Sequence, residues 1–335
     1  MSLLNGVTSS ARVWRCVGFL FFAALAAAAN EGPVGPVSGE VWNLPLGEKA
    51  TLPLAWIPPG TFTLGSPETE PGRKADESPP TRVTLSRGFW LGRTPVTIGQ
   101  WKKVMGLDVR AQLIRQINDD TLYDLYGKQQ TLRMLMGWSR DVEPVTYLAN
   151  EGENLPMYFV SWNDAMAFAR KLTERERAAG RLPSGYEYTL PTEAQWEYAC
   201  RAGNPAATYA GPASAVVLDR IAWYDQNSAR EYSGPRLGAS HSGPRDVGQK
   251  EPNAWGLFDL QGNVWQWCRD WYGPYGGGNV TDPLGPMTGT TRVNRGGSFG
   301  SGAGSMRSAC RASNPPAEAS AYRGFRLALG PEISR

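Results

Sequence analysis

Histidine is almost absent from this chain: 335 residues contain one, His241, set in a Ser/Gly-rich stretch. A zinc or iron centre that needs two or three imidazoles cannot be assembled from that supply. Serine–histidine–aspartate catalysis would rest on a lone loop histidine. Cysteine is scarce as well, with Cys16, Cys200, Cys268 and Cys310 making up the total of 4. Charged residues amount to 19%, with no basic or acidic block. That balance excludes nucleic acid and the membrane surface as expected partners. No stretch beyond residue 29 approaches the roughly 20 apolar residues a membrane span requires.

The opening segment reads as an address. Arg12 and Arg15 precede an apolar run from Val17 to Leu25, and Ala26 to Ala29 form a small-residue tail suited to cleavage. Read as an uncleaved anchor, the run is too short. Cys16 follows Val-Trp-Arg, which is not a lipidation box. A cleaved signal peptide over 1–29 is therefore expected, with the mature chain secreted or periplasmic. Its removal takes away two arginines and no acid, lowering the formal charge from +3 to +1. Residues 30–49 read as a leader. Residues 50–330 are long enough for one substantial core.

What is plentiful is Gly (39), Pro (26) and Trp (13). Such a chain has much irregular backbone, with aromatic side chains supplying the buried area. Convincing helix starts are few. Thr97 to Gln100, Ser161 to Asp164 and Thr192 to Gln195 are capping boxes, each worth about 1 kcal/mol at a helix N-terminus. Ile98, Trp101 and Met105 follow the first at helical spacing, and Ala165, Phe168, Ala169 and Leu172 the second. The third carries Trp196, Ala199 and Cys200. Acidic residues in these first turns read as helix-dipole partners rather than catalytic carboxylates. Short strands are expected at Arg82–Leu85, Phe89–Leu91, Arg292–Arg295 and Phe325–Leu329. Residues 106–155 stand apart as an insertion of one or two helices, read as a flap over the core, with a lid as the sharper alternative. Asn279-Val280-Thr281 is a glycosylation sequon by pattern alone. The fold class is α+β with low regular content.

Eight ordered phrases then become specific. They run through Leu54–Ser66, Val83–Leu85, Phe89–Gly92 with Pro95–Trp101, Val160–Ala165, Leu190–Arg201, Asn253–Trp267, Arg292–Ser298 and Gly324–Leu327. Together they resemble the formylglycine-generating (sulfatase-modifying) family from about residue 50 to 330. The resemblance implies a C-type-lectin-like α+β domain and an oxidase that acts on sulfatase cysteines. It also implies a calcium site: the Asp259 side chain, the carbonyls of Gly262 and Val264, and Gln266 where the family has Glu. All are oxygen donors, which suits a hard cation, and a weakened structural Ca²⁺ site is expected. The alternative is a turn pinned by hydrogen bonds of Asp259 and Gln266.

The family's oxidase chemistry uses a cysteine pair just after Gly-Gly-Ser to hold copper(I). Here the first position falls on Ser301 and the second within Gly302–Met306, with no cysteine at either. A hydroxyl and a thioether cannot reproduce a bis-thiolate site, so copper is not expected. Cys200 matches a disulfide cysteine of animal members whose partner position is Ser308. Cys310 lies two residues on, and i and i+2 share a strand face. A Cys200–Cys310 bridge is therefore expected, leaving Cys268 over. Trp265 and Ser298 match pocket positions. Arg307 and Arg311 either hold anionic groups or are structural.

Two functions follow. One is a domain that binds an exported protein or a small ligand. The segment Gly300–Tyr322, with its small side chains around Arg307 and Arg311, then resembles the variable region of diversified proteins of this fold, or is an ordinary divergent loop. The other is an enzyme that oxidatively modifies an exported partner.

Overall fold

The computed structural model describes residues 36–229 and 242–333. The signal segment 1–29 with Cys16, the start of the leader, and His241 lie outside them. Among the described residues no helix is long and apolar enough to cross a membrane.

All three capping boxes close. Thr97 Oγ1 accepts from Gln100 N at 3.2 Å while Thr97 N donates to Gln100 Oε1 at 2.9 Å, opening the helix Ile98–Met105. Ser161 with Asp164 opens Trp162–Ala178, and Thr192 with Gln195 opens Glu193–Arg201. In the first helix Ile98 and Trp101 are buried as the spacing requires, with Val104 rather than Met105 completing the apolar face. That face meets the second helix: the Trp101 ring stacks on Phe168 at 5.6 Å, and Phe325 meets both edge-on. Each such pair adds about 0.5–1.5 kcal/mol beyond area burial.

The sheets gather distant segments. A five-stranded sheet runs Val41–Gly47, Ala50–Ile57, Phe89–Gly92, Ala328–Pro331, Tyr186–Thr189, every neighbour antiparallel. A four-stranded sheet runs Arg311–Asn314, Arg292–Arg295, Trp265–Trp271, Arg323–Phe325, and its last pair is parallel. A smaller sheet runs Asn279–Thr281, Thr81–Leu85, Gly60–Leu64.

The single strand expected over Phe325–Leu329 is in fact two. Arg323–Phe325 pairs with Trp265–Trp267, whereas Ala328–Pro331 belongs to the five-stranded sheet. The chain changes sheets at Arg326, whose buried guanidinium donates to the carbonyls of Gly92 and Phe258 and to Gln266 Oε1. Arg326 thus sits where the two sheets meet, its buried cation satisfied by Gly92 of one, Gln266 of the other and the Phe258 carbonyl.

Residues 106–155 hold more than helices. Val109–Asn118 and Leu132–Met136 are helical, but between them Tyr123–Leu125 and Lys128–Gln130 form a hairpin. Its two-residue loop, Tyr126-Gly127, has positive φ at both positions (57° and 76°), as a tight hairpin turn demands. The segment covers the core, burying Val109, Leu113, Ile117, Leu125 and Leu132 in the cluster that contains Trp101 and Phe168.

Candidate functional site

The end of the strand Arg292–Arg295 and the turn before Trp265–Trp271 lie side by side. Arg295 is opposite Gln266, and Gly262 N donates to Gly296 O at 2.8 Å. Glycine is compulsory here. Gly262 and Gly296 have φ of +82° and +99°, and a Cβ would lie 2.3 Å from Trp223 O and 2.5 Å from Leu260 O. Asn263, itself left-handed at 65°, ties the turn together. Its Oδ1 accepts from Arg245 N, its Nδ2 donates to Arg245 O, and its carbonyl accepts from Phe299 N.

The chain then turns through Ser298, which is buried, and Ser301, which is half-buried. Ser298 N donates to Ser301 Oγ at 3.1 Å, the two hydroxyls lie 2.9 Å apart, and Ser301 N returns to Ser298 O at 3.0 Å. The structure thus brings these two residues into one hydrogen-bonded turn. Phe299, beneath it, stacks on the Tyr322 ring at 4.9 Å, and Trp265 N donates to Tyr322 O. Tyr322 and buried Phe299 therefore set an aromatic pair beside the serine turn, with the Trp265 backbone tied to Tyr322. Tyr322 is 39% exposed, which leaves a face for contact.

Arg307 and Arg311 are not part of that surface. Arg311 makes a bidentate pair with Glu193, at 2.6 and 2.8 Å, and donates to Asp76 O and Gly273 O. Arg307 holds Glu77 and Glu70. Arg295 bridges Glu193 and Glu197, and Glu197 also holds Arg201. Burial pushes the Glu193 carboxyl up, but the charges of Arg311 and Arg295 outweigh it and hold it below the usual range. Glu77 is likewise held low, with Arg307 and Ser66 overcoming burial. These guanidiniums are structural, committed to carboxylates rather than to the loop carbonyls alone. A cavity of about 480 Å³ takes in Glu193 and Arg311 but none of Trp265, Ser298 or Ser301.

The expected disulfide does not form. Cys200, Cys268 and Cys310 are free and buried. Cys200 Sγ instead faces Ser308 Oγ at 3.6 Å. The alternation argument fails because residues 307–310 are a turn, closed by Cys310 N donating to Arg307 O at 3.0 Å. The strand begins only at Arg311. Burial pushes the Cys200 thiol up to about 11 and raises those of Cys268 and Cys310 as well. At neutral pH all three are thiols, not thiolates. Met306, in the stretch where the second copper cysteine would fall, is fully buried. The residues around Ser301 therefore do not fit a copper(I) centre.

Asp259, Gly262, Val264 and Gln266 do share one stretch of chain, and the two side chains among them are already hydrogen-bonded. Gln266 Oε1 accepts from Trp196 Nε1 at 2.9 Å and from Arg326 Nε at 3.1 Å, while Gln266 Nε2 donates to Asp259 O at 2.6 Å. The Asp259 carboxylate accepts from Gly248 N at 2.7 Å, and burial raises its pKa. Calcium asks for six to eight oxygens. Here the Gln266 oxygen already accepts from Trp196 and Arg326, and the Arg326 guanidinium lies beside it, which does not suit a cation at that oxygen. Among the described residues no group of three or more His, Cys, Asp or Glu could hold a metal.

Sequence reasoning missed Glu193, Glu77 and Arg326 as the fixed points of this region. The one available signal was an arginine set between Phe325 and Leu327, where a charge must be buried and paired.

Comparison with known proteins places the chain. The model of a family described as sulfatase-modifying factor enzyme 1-like domain matches residues 48–330. A formylglycine-generating enzyme of Streptomyces coelicolor is 29% identical over 334 residues, covering 92% of this chain and 96% of that enzyme. The formylglycine-generating enzyme of Mus musculus is 27% identical over 291 residues, or 81% of this chain and 73% of the relative. Among solved structures, PvdO from Pseudomonas aeruginosa superposes with a TM-score of 0.65 at 22% identity, covering 88% of this chain and 99% of that one. Treponema denticola variable protein 1 does so with a TM-score of 0.63 at 24% identity, covering 89% and 100%. At these identities the two structures speak for the fold alone.

Proposed function

Because the chain belongs to the family of sulfatase-modifying factor enzyme 1-like domains, we propose that it is an exported member in which the oxidase centre has given way to a binding surface. The observation that carries this reading is the serine turn. Where the resemblance places the first copper-binding cysteine stands Ser301, hydrogen-bonded to Ser298. Each described thiol is buried and protonated. Oxidation of a substrate cysteine through copper(I) requires soft thiolate donors, and this turn supplies hydroxyls.

What the turn offers is adaptable polar contact beside aromatic rings. Half-buried Ser301 donates and accepts at the rim, with buried Ser298 behind it, and Tyr322 supplies apolar area at low entropic expense. On this reading the ligand is an exported protein or a small molecule with both an apolar face and hydrogen-bonding groups. The hydrogen bonds of Gln266 to Asp259 O and Arg326 support a turn that holds without calcium. The leading segment, with its Arg12 and Arg15 followed by an apolar run, supports export, and the C-type-lectin type of domain supports presentation of a variable face.

The competing reading, an oxidase acting on sulfatase cysteines, draws on the 29% identity to the Streptomyces coelicolor enzyme. A copper-supplemented assay on a sulfatase-motif peptide, read by mass spectrometry, separates the two. The binding reading expects the peptide cysteine unchanged. Conversion of that cysteine to an aldehyde would return the chain to the oxidases.

A further inference from the structure

We propose that the free edge of the strand Gly60–Leu64 is a docking site for an extended polypeptide, which adds to the sheet and seats an apolar side chain beside Phe62 and Tyr198. The strand is terminal in its sheet and pairs only with Thr81–Leu85. On the far side of that neighbour, Arg82 N donates to Gly278 O and Thr84 O accepts from Asp282 N. Strand alternation then turns the backbone groups of Thr81, Val83 and Leu85 toward Leu64, Phe62 and Gly60, their register partners. Thr61 and Thr63 are left directing N–H and C=O out of the sheet. Both are exposed, and among the described residues no backbone hydrogen bond outside the ladder reaches them.

Proteins normally blunt such an edge with charge, a bulge or a cover. Gly60–Leu64 carries no charge, and only Pro58, Pro59 and Pro67 flank it. Those prolines confine pairing to a few residues. Beside the edge lies a cavity of about 410 Å³ walled by Phe62, Pro67, Pro80, Tyr198 and Pro205, with Thr61 and Thr63 on its rim. The Phe62 and Tyr198 rings are 5.3 Å apart. Arg201, the charged residue of this wall, is fully engaged by Glu197 and by the carbonyls of Gly65, Pro205 and Ala206.

The occupant's chemistry follows from these groups. Outward donors and acceptors at alternate residues ask for an extended backbone, and an uncharged aromatic–proline pocket asks for an apolar side chain from it. This site shares no residue with the serine turn, so it stands or falls independently of the binding function assigned there.

The test is selection of a random octapeptide phage library on the whole chain, with the retained peptides then titrated against the protein and against Thr63→Pro. That substitution deletes one outward N–H and leaves the ladder to Thr81–Leu85 intact, and circular dichroism checks that the variant folds. Hydrogen exchange on the unsubstituted protein gives a second reading. The expected peptides alternate apolar residues, bind Thr63→Pro at least tenfold more weakly, and slow exchange at Thr61 and Thr63. The proposal is overturned if no peptide is retained, if peptides bind both proteins equally, if they protect amides elsewhere, or if sedimentation shows the edge already buried between two copies of the chain.

Discussion

The serine turn and the arginine–glutamate network beneath it lie within a few residues of each other in sequence, yet they are built to opposite standards. The network is closed: Arg295, Arg307 and Arg311 have carboxylate partners on the inside of the fold. The turn above is held by neutral groups: its two hydroxyls, its own backbone, and hydrogen bonds with Asn263 O, Ser228 Oγ and Asp225 N. A buried ion network tolerates almost no change of residue type, because removing one member strands the others. A half-buried turn held by neutral groups tolerates exchange of cysteine for serine with little structural effect. On the proposed function, the difference explains how a family domain can lose its oxidase donors and keep its fold.

The largest expected effect breaks the network. Arg295→Ala leaves Glu193 and Glu197 buried without a shared cation and costs about 3–5 kcal/mol, measured as a fall in the urea midpoint. Next comes a change at the boundary between the two regions. Ser308→Cys puts a second sulfur where Ser308 Oγ now stands, 3.6 Å from Cys200 Sγ, close enough for a disulfide after a small shift. Loss of free thiols and a rise in melting temperature of several degrees are expected, because the bond closes a long loop. A variant that keeps all its thiols would place the two side chains further apart than described.

Acid sharpens the comparison further. Glu193 and Glu77 have folded pKa values below their usual 4.5. The stability they contribute is therefore present above that value and is lost as pH falls through the folded pKa. Asp259 runs the other way. Its raised pKa means that its contribution is present at low pH and lost as pH rises through the folded value. Urea midpoints between pH 7 and pH 3 are expected to fall below about pH 4.5, with Arg307→Met losing the part due to Glu77. The smallest effect belongs to the turn itself: Ser301→Cys should change stability by less than about 1 kcal/mol.

How much of this could be read from the sequence depends on the range of the interaction. The capping boxes at Thr97, Ser161 and Thr192 were legible because donor and acceptor lie three residues apart. The Gly-Gly-Ser phrase was legible only through the family resemblance; the structure supplies its reason, positive φ at Gly296 and Gly297. Arg307 meets Glu77 across 230 residues of chain, and nothing local at either position marks the other as partner. The strand break at Arg326 and the failed disulfide share a cause. Each depended on where the chain turns, and a periodic pattern carries no information on that. The hairpin at Tyr126-Gly127 was hidden inside a segment whose apolar spacing suited a helix.

Retention of copper(I) by the folded protein against a chromophoric chelator tests the central claim most directly. The account predicts that no copper is kept and that Ser301→Ala changes nothing. One equivalent held by the unsubstituted chain and lost on Ser301→Ala would contradict it.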